Sequence, residues 1–291
     1  MIDIDNFVIF LVIENTDNKG NGNSEFDDIN KHYNIARNFF EEAKICLSHW
    51  RKNGGIYKDI KIYVLCMTSN TISRNEISYL TKKYNIIYLE NYIKNWDDYP
   101  AGYFLTPYAG KYIEDNYKQL NLNLNTLILH FDLDMVLMTS PNLENLLPNE
   151  NENAAIQIYD EEEFEELTDD LIKTYKTVTF NTGFILSYIY SNFYNNWTKS
   201  MELDFYTYIK ENVVDTNNYH EYWKYCNIEE SSVNNIKNTK YIKPITNIEF
   251  RDYNYDKSPM FLHCHYNLSE FKHEYLKIFK FLNHRRMHGN M

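Results

Sequence analysis

The sequence predicts an α/β fold built on a parallel sheet with helices on both faces. Three observations lead there. Short continuous runs of apolar, β-branched and aromatic residues recur along the chain, amphipathic helical patterns separate the first of them, and the opening order is strand, helix, strand, helix, strand. In such sheets ligands collect beyond the carboxyl ends of the strands, so chemistry is to be sought in the residues that follow them.

The first strand is Phe7–Ile13, flanked by Asp3, Asp5 and Glu14. It is too short to span a bilayer and lacks the basic flank of a signal peptide, so it reads as a buried strand. The polar loop Glu14–Ser24 follows; it is not a GxGxxG turn, and its place suits either a ligand-covering loop or a plain surface loop. Within His32–Trp50, Ile35, Phe39, Ala43, Cys46 and Trp50 recur at helical spacing. Ile60–Met67 reads as the second strand. Arg74–Tyr84 is a helix with Ile77, Leu80 and Tyr84 on one face, and Asn85–Leu89 is the third strand. Further strands are predicted at Thr126–Phe131, Ala154–Tyr159, Thr179–Leu186 and Met260–Tyr266. The acidic run Asp160–Asp170 reads as a solvated helix or loop without chemistry. Phe271, Tyr275, Ile278 and Leu282 give Ser269–Met291 a helical pattern, so the chain divides into one domain, 1–268, and a C-terminal helical extension, 269–291.

The 291 residues carry a formal net charge of −12, which argues against a nucleic-acid partner because duplex binding draws on clustered basic side chains. A small phosphorylated ligand stays open, since a bound divalent cation can neutralise it locally. The many Tyr, Phe, Ile, Lys and Asn residues share A/T-rich codons and carry no functional message. Cys46, Cys66, Cys226 and Cys264 form no CxxC pair, which leaves neither a disulfide framework nor a zinc ribbon. With no transmembrane run either, the expectation is a soluble, cytoplasmic protein.

His130-Phe-Asp-Leu-Asp-Met-Val-Leu137 is the most informative segment. In an extended chain Asp132 and Asp134 point to the same side, and they interrupt an apolar run where a buried strand should end. Two carboxylates so close repel unless a cation lies between them or one is protonated. Mg²⁺ or Mn²⁺ fits: hard ions that take carboxylates and leave positions open for phosphate oxygens. Downstream, Thr179-Phe-Asn-Thr-Gly-Phe-Ile-Leu186 sets Asn181 and Gly183 in an apolar run, where a glycine permits close approach of a ligand or backbone, or marks a bulge. Met260-Phe-Leu-His-Cys-His-Tyr266 puts His263 and His265 on one face of a strand, either as core residues or as metal ligands.

Taken in order, these segments resemble the nucleotide-sugar glycosyltransferases of the GT-A fold, especially the glycogenin-like and bacterial galactosyltransferase family 8, over roughly residues 5–268. The resemblance implies a Rossmann-like, mixed and mostly parallel sheet flanked by helices. It implies that Asp132 and Asp134 hold Mn²⁺ or Mg²⁺ on the donor diphosphate, with His263, or alternatively His265, as third ligand. Asn181 and Gly183 would face the sugars and the donor. Lys111, in Pro107–Ile113, would contact the donor, and Asn15 and Thr16 the nucleotide base. Glu229 or Glu230, in Ile228-Glu-Glu-Ser-Ser-Val-Asn-Asn235, would touch the transferred sugar. The implied activity is transfer of a hexose from a UDP-sugar to a glycan, protein or small-molecule acceptor. The chain departs from the family after His265, where the usual Gly and Lys-Pro are missing, and in its longer first loop.

Phe131–Leu137 also looks like the first motif of haloacid-dehalogenase-type phosphatases, with Asp132 as nucleophile. That family carries the motif on its first strand, whereas three strands precede it here, and Arg251 stands where its later motif wants Gly before Asp252 and Asp256. A non-catalytic nucleotide-sugar-binding module is the third alternative.

Overall fold

The computed structural model describes residues 2–13, 39–66, 73–91, 105–158, 180–211, 228–242 and 260–263. Strand β1 (Phe7–Ile13) is apolar throughout because it is hydrogen-bonded along both edges and covered on both faces. It pairs in parallel with β2 (Lys61–Cys66) on one side and β4 (Leu127–Phe131) on the other, and β2 pairs in parallel with β3 (Ile86–Glu90). Past β4 the sheet becomes mixed. Strand β7 (Phe180–Tyr188) runs antiparallel to β4, β6 (Ala154–Ile158) antiparallel to β7, and β8 (Thr239–Ile242) parallel to β6. The seven-stranded order is β3-β2-β1-β4-β7-β6-β8. A second sheet joins β5 (Met135–Leu137) to β9 (Phe261–His263), antiparallel.

Alternate residues of β1 feed two cores. Phe7, Ile9, Leu11 and Ile13 pack with Ala43, Leu47 and Trp50 of α1 (Phe39–Asn53) and with Leu80 and Tyr84 of α2 (Arg74–Tyr84). Val8 and Phe10 pack on the opposite face with Leu105, Ala109 and Ile113 of α3 (Leu105–Asp115) and with Phe193, Tyr194 and Trp197 of α4 (Phe193–Glu211). Burying each such large side chain stabilises the fold by roughly 1.5–3 kcal/mol.

Local chemistry sets the helix ends. Helix α2 starts at a capping box, in which Ser73 accepts from the Glu76 amide and Glu76 accepts from the Ser73 amide, and it stops at Asn85 in the left-handed conformation. Helices α3 and α4 touch through Gly110, where a Cβ would run into the Tyr194 ring. Arg51 of α1 donates to the carbonyls of Lys58, Ile60, Tyr84 and Asn85, stitching α1 to the entry of β2 and the exit of α2.

The predicted strands from Phe7–Ile13 to Thr179–Leu186 lie within a residue or two of strands observed, and the helix Arg74–Tyr84 has the predicted ends. Met260–Tyr266 is described only as far as His263, with β9 at Phe261–His263, and β5 and β8 were not foreseen. The first helix is described from Phe39; residues 32–38, the 14–24 loop, the acidic run and the 269–291 extension lie outside the described residues. Among the described residues no helix is long and apolar enough to cross a membrane. Cys46 and Cys66 are buried.

Candidate active site

After β1 the chain crosses to the α1 face, and after β3 to the α3 face. The order 3-2-1-4 therefore puts a topological switch point between β1 and β4, and ligands of open α/β sheets bind outside the carboxyl ends of strands there. Asp132 follows β4 at that end.

The two aspartates are not on an extended strand, which corrects the expectation that they share one side by strand geometry. The chain turns: the Met135 amide donates to the Asp132 carbonyl at 3.0 Å, and Leu133 is buried beneath the turn. The turn is needed because β4 ends in the large sheet whereas β5 must start in the small one. Asp132 is 41 % exposed, while Oδ1 of Asp134 is buried. Their charge is felt inward: burial raises the Cys46 thiol pKa, and Asp134, Glu42 and Asp132 raise it further. His130, buried on β4, sets Nε2 3.2 Å from Oδ1 of Asp132. Sequence reasoning gave His130 no role, although a polar residue two positions before Asp132 in a buried strand was a usable signal.

Strand β7 comes to the same corner. The Asp132 amide donates to the Gly183 carbonyl at 3.0 Å, which carries the β4–β7 pairing on to the aspartate turn. The ladder to β6 is irregular here: Ile156 faces Ile185, yet Gln157 faces Asn181. The residues between, Thr182 among them, are thereby turned to other partners. Thr182 Oγ1 lies 3.3 Å from Oε2 of Glu229 and 3.5 Å from Oε1 of Glu230, and its amide lies 3.5 Å from that same oxygen of Glu230.

Both glutamates open the short helix α5 (Ile228–Ser232). Trp197 Nε1 of α4 holds this helix through the Glu229 carbonyl at 2.9 Å and Ser232 Oγ at 3.1 Å. Glu229 is 2 % exposed and Glu230 half-buried. Burial first, then the charges of Glu230 and Asp132, push the Glu229 carboxyl well above the usual carboxylate range, against a hydrogen bond from Thr182. The charged form of Glu229 is thereby disfavoured in this crowd of acids.

The remaining predicted residues divide. His263 has its backbone opposite Met135, the residue after Asp134, in the β5–β9 register; its side chain, like that of Asn181, is outside the described residues. His265, Asn15 and Thr16 also lie outside them. Lys111 is not brought to the acidic corner by any described contact: on α3 it pairs with Asp115, whose other oxygen accepts from Asn195 at 3.0 Å. Among the described residues no three His, Cys, Asp or Glu side chains are grouped to hold a metal ion. Two hard oxygen donors are present at Asp132 and Asp134, and the strand bearing His263 adjoins them, so a divalent cation fits on condition that β9 or its continuation supplies the third ligand.

No protein-family model matches the sequence, and no curated protein matches it. Solved structures do match. An active-site mutant of LgtC aligns with a TM-score of 0.50 at 11% identity, over 89% of this chain and 88% of that chain. The galactosyltransferase LgtC in complex with donor and acceptor sugar analogues aligns at 0.48 and 12%, over 83% and 75%. The glycosyltransferase GlyE of Streptococcus pneumoniae TIGR4 aligns at 0.47 and 13%, over 88% of this chain and 53% of that one, so the chain spans about half of GlyE's length there. At such identities the likeness is one of fold, and the chain has the mixed, mostly parallel α/β architecture of GT-A glycosyltransferases.

Proposed function

We propose that the protein is a metal-dependent glycosyltransferase that moves a hexose from a UDP-sugar to an acceptor hydroxyl on a glycan, protein or small molecule. One observation carries the reading. At the switch point of a GT-A-type sheet, the Asp132–Asp134 turn is tied through Gly183 and Thr182 to the acidic pair Glu229 and Glu230. Asp132 and Asp134, with His263 or His265, would hold Mn²⁺ or Mg²⁺. A bound cation supplies neutralisation of the charge that develops on the departing diphosphate.

The protein's own groups take distinct parts in this reading. Glu229 is the buried member, with its charged form disfavoured, and serves the local framework. Glu230 is the half-buried member and is the one to face the sugar; if the anomeric centre inverts, it takes the acceptor proton. Asn181 and Gly183 would line the donor site, Asn15 and Thr16 would meet the base, and Lys111 would reach the donor only on leaving Asp115.

The test is a thermal-shift screen of nucleotide sugars with and without Mn²⁺, followed by turnover of the best donor. A UDP-sugar should raise the melting temperature only with the metal, and Asp134→Asn should abolish turnover. Full turnover by that variant would overturn the assignment.

A further inference from the structure

His130 lies in a run that is otherwise apolar, Leu127–Phe131, and is 1 % exposed. Its ring is stacked on Phe10 of the neighbouring strand, with centroids 4.6 Å apart and planes inclined by 26°. The two residues face each other in the β1–β4 register. Nδ1 lies 3.3 Å from the Phe10 carbonyl oxygen and Nε2 lies 3.2 Å from Oδ1 of Asp132. Both neighbours are acceptors. Of the two acceptors the carboxylate is the stronger partner for a ring N–H, so Nε2 facing Asp132 is placed to donate to it.

The ring is thus fixed by the sheet, and the residue it touches is not. Asp132 stands on a turn with its side chain 41 % exposed, where a carboxylate otherwise samples several rotamers. We propose that His130 is a positioning residue: braced on Phe10, it holds the Asp132 carboxylate in the orientation that receives a divalent cation. This rests on the reading of Asp132 as a metal ligand. Hydrogen-bond partners behind a ligating side chain typically contribute 10–100-fold in metal affinity, because they order the ligand before the ion arrives.

Three variants separate positioning from packing. His130→Phe keeps the ring and its stack but loses both nitrogens. His130→Asn keeps an amide near Nδ1 for the Phe10 carbonyl and is too short to reach Asp132. His130→Gln keeps a donor near Nε2. The primary readout is the Mn²⁺ dissociation constant of the protein alone, by calorimetry, with the melting temperature of each metal-free variant beside it. His130→Phe and His130→Asn should bind Mn²⁺ about 10-fold or more weakly, and His130→Gln within about 3-fold of wild type. Should His130→Phe not fold, His130→Asn decides. Wild-type affinity in His130→Asn overturns the inference, as does equal weakening in all three, which marks a purely structural histidine. A wild-type protein that binds no Mn²⁺ overturns the functional reading, and this inference with it; a wild type that binds while His130→Asn is unchanged overturns this inference alone.

Discussion

The amide of Asp132 donates to the carbonyl of Gly183 at 3.0 Å, and this one bond fixes the acidic turn to the strand that meets Glu229 and Glu230. Acids that repel one another are thereby held in one corner by backbone, and removing a charge has opposite effects on stability and on function. Asp132→Asn should raise the melting temperature of the metal-free protein slightly, since the Asp132 charge is one of those that disfavour an ionised Glu229. The same variant should lose the Mn²⁺-induced thermal shift. Calorimetry with and without the metal reads both, and a lower metal-free melting temperature contradicts the account.

Thr182 is the group between the two glutamates. Thr182→Val keeps the shape but loses the hydroxyl, and kcat for sugar transfer should fall about 10-fold with KM within about 3-fold, because the loss falls on orientation of Glu230 in the transition state. Thr182→Ser should retain most of the rate. Steady-state kinetics of the three proteins checks this, and equal loss in the serine and valine variants would show that packing is what Thr182 supplies.

Glu114 predicts a pH dependence far from the acidic corner. Buried on α3, it accepts from the amides of Tyr194 and Asn195 at the start of α4 and from the Asn195 side chain. Burial outweighs these donors and raises its pKa from 4.5 to about 7. The folded protein then binds the proton more tightly than the unfolded chain. The stability from this proton is full below pH 4.5 and is lost as pH rises through about 7. The loss is at most on the order of 3 kcal/mol. Against a Glu114→Gln reference, wild-type stability should fall between these pH values and run parallel outside them; denaturant titrations across the range measure it.

Arg51 is the control for stability without chemistry. Its guanidinium serves four main-chain carbonyls around the entry of β2. Arg51→Ala should cost roughly 2–4 kcal/mol in denaturant unfolding. The Mn²⁺ and UDP-sugar affinities of the folded variant should stay at wild-type values, and a change in either would mean that α1 shapes the site.

The parts of the fold readable in the sequence are those with local causes. Phe7–Ile13 announces a strand buried on both faces, and Ile77, Leu80 and Tyr84 announce a helix over Arg74–Tyr84, because each pattern lies within a few residues. The short strand β5 has no such pattern; pairing with the distant β9 creates it, and the aspartate pair before it is bent into a turn. The division between Glu229 and Glu230 was equally hidden. Adjacent residues of one type differ only in what covers them, and here the cover includes Trp197 and Thr182 from other elements.

The pairing of Met135 with His263 also orders events during synthesis. When β5 leaves the ribosome its partner strand has not been made, and β6 likewise waits for β8. A nascent chain that has reached the end of α4 therefore carries both aspartates but offers Val136 and Leu137, buried in the finished protein, as an unpaired edge. Release before Phe261 would leave that edge open to chaperones or to other chains, so the corner proposed for catalysis is among the last parts of the molecule to close.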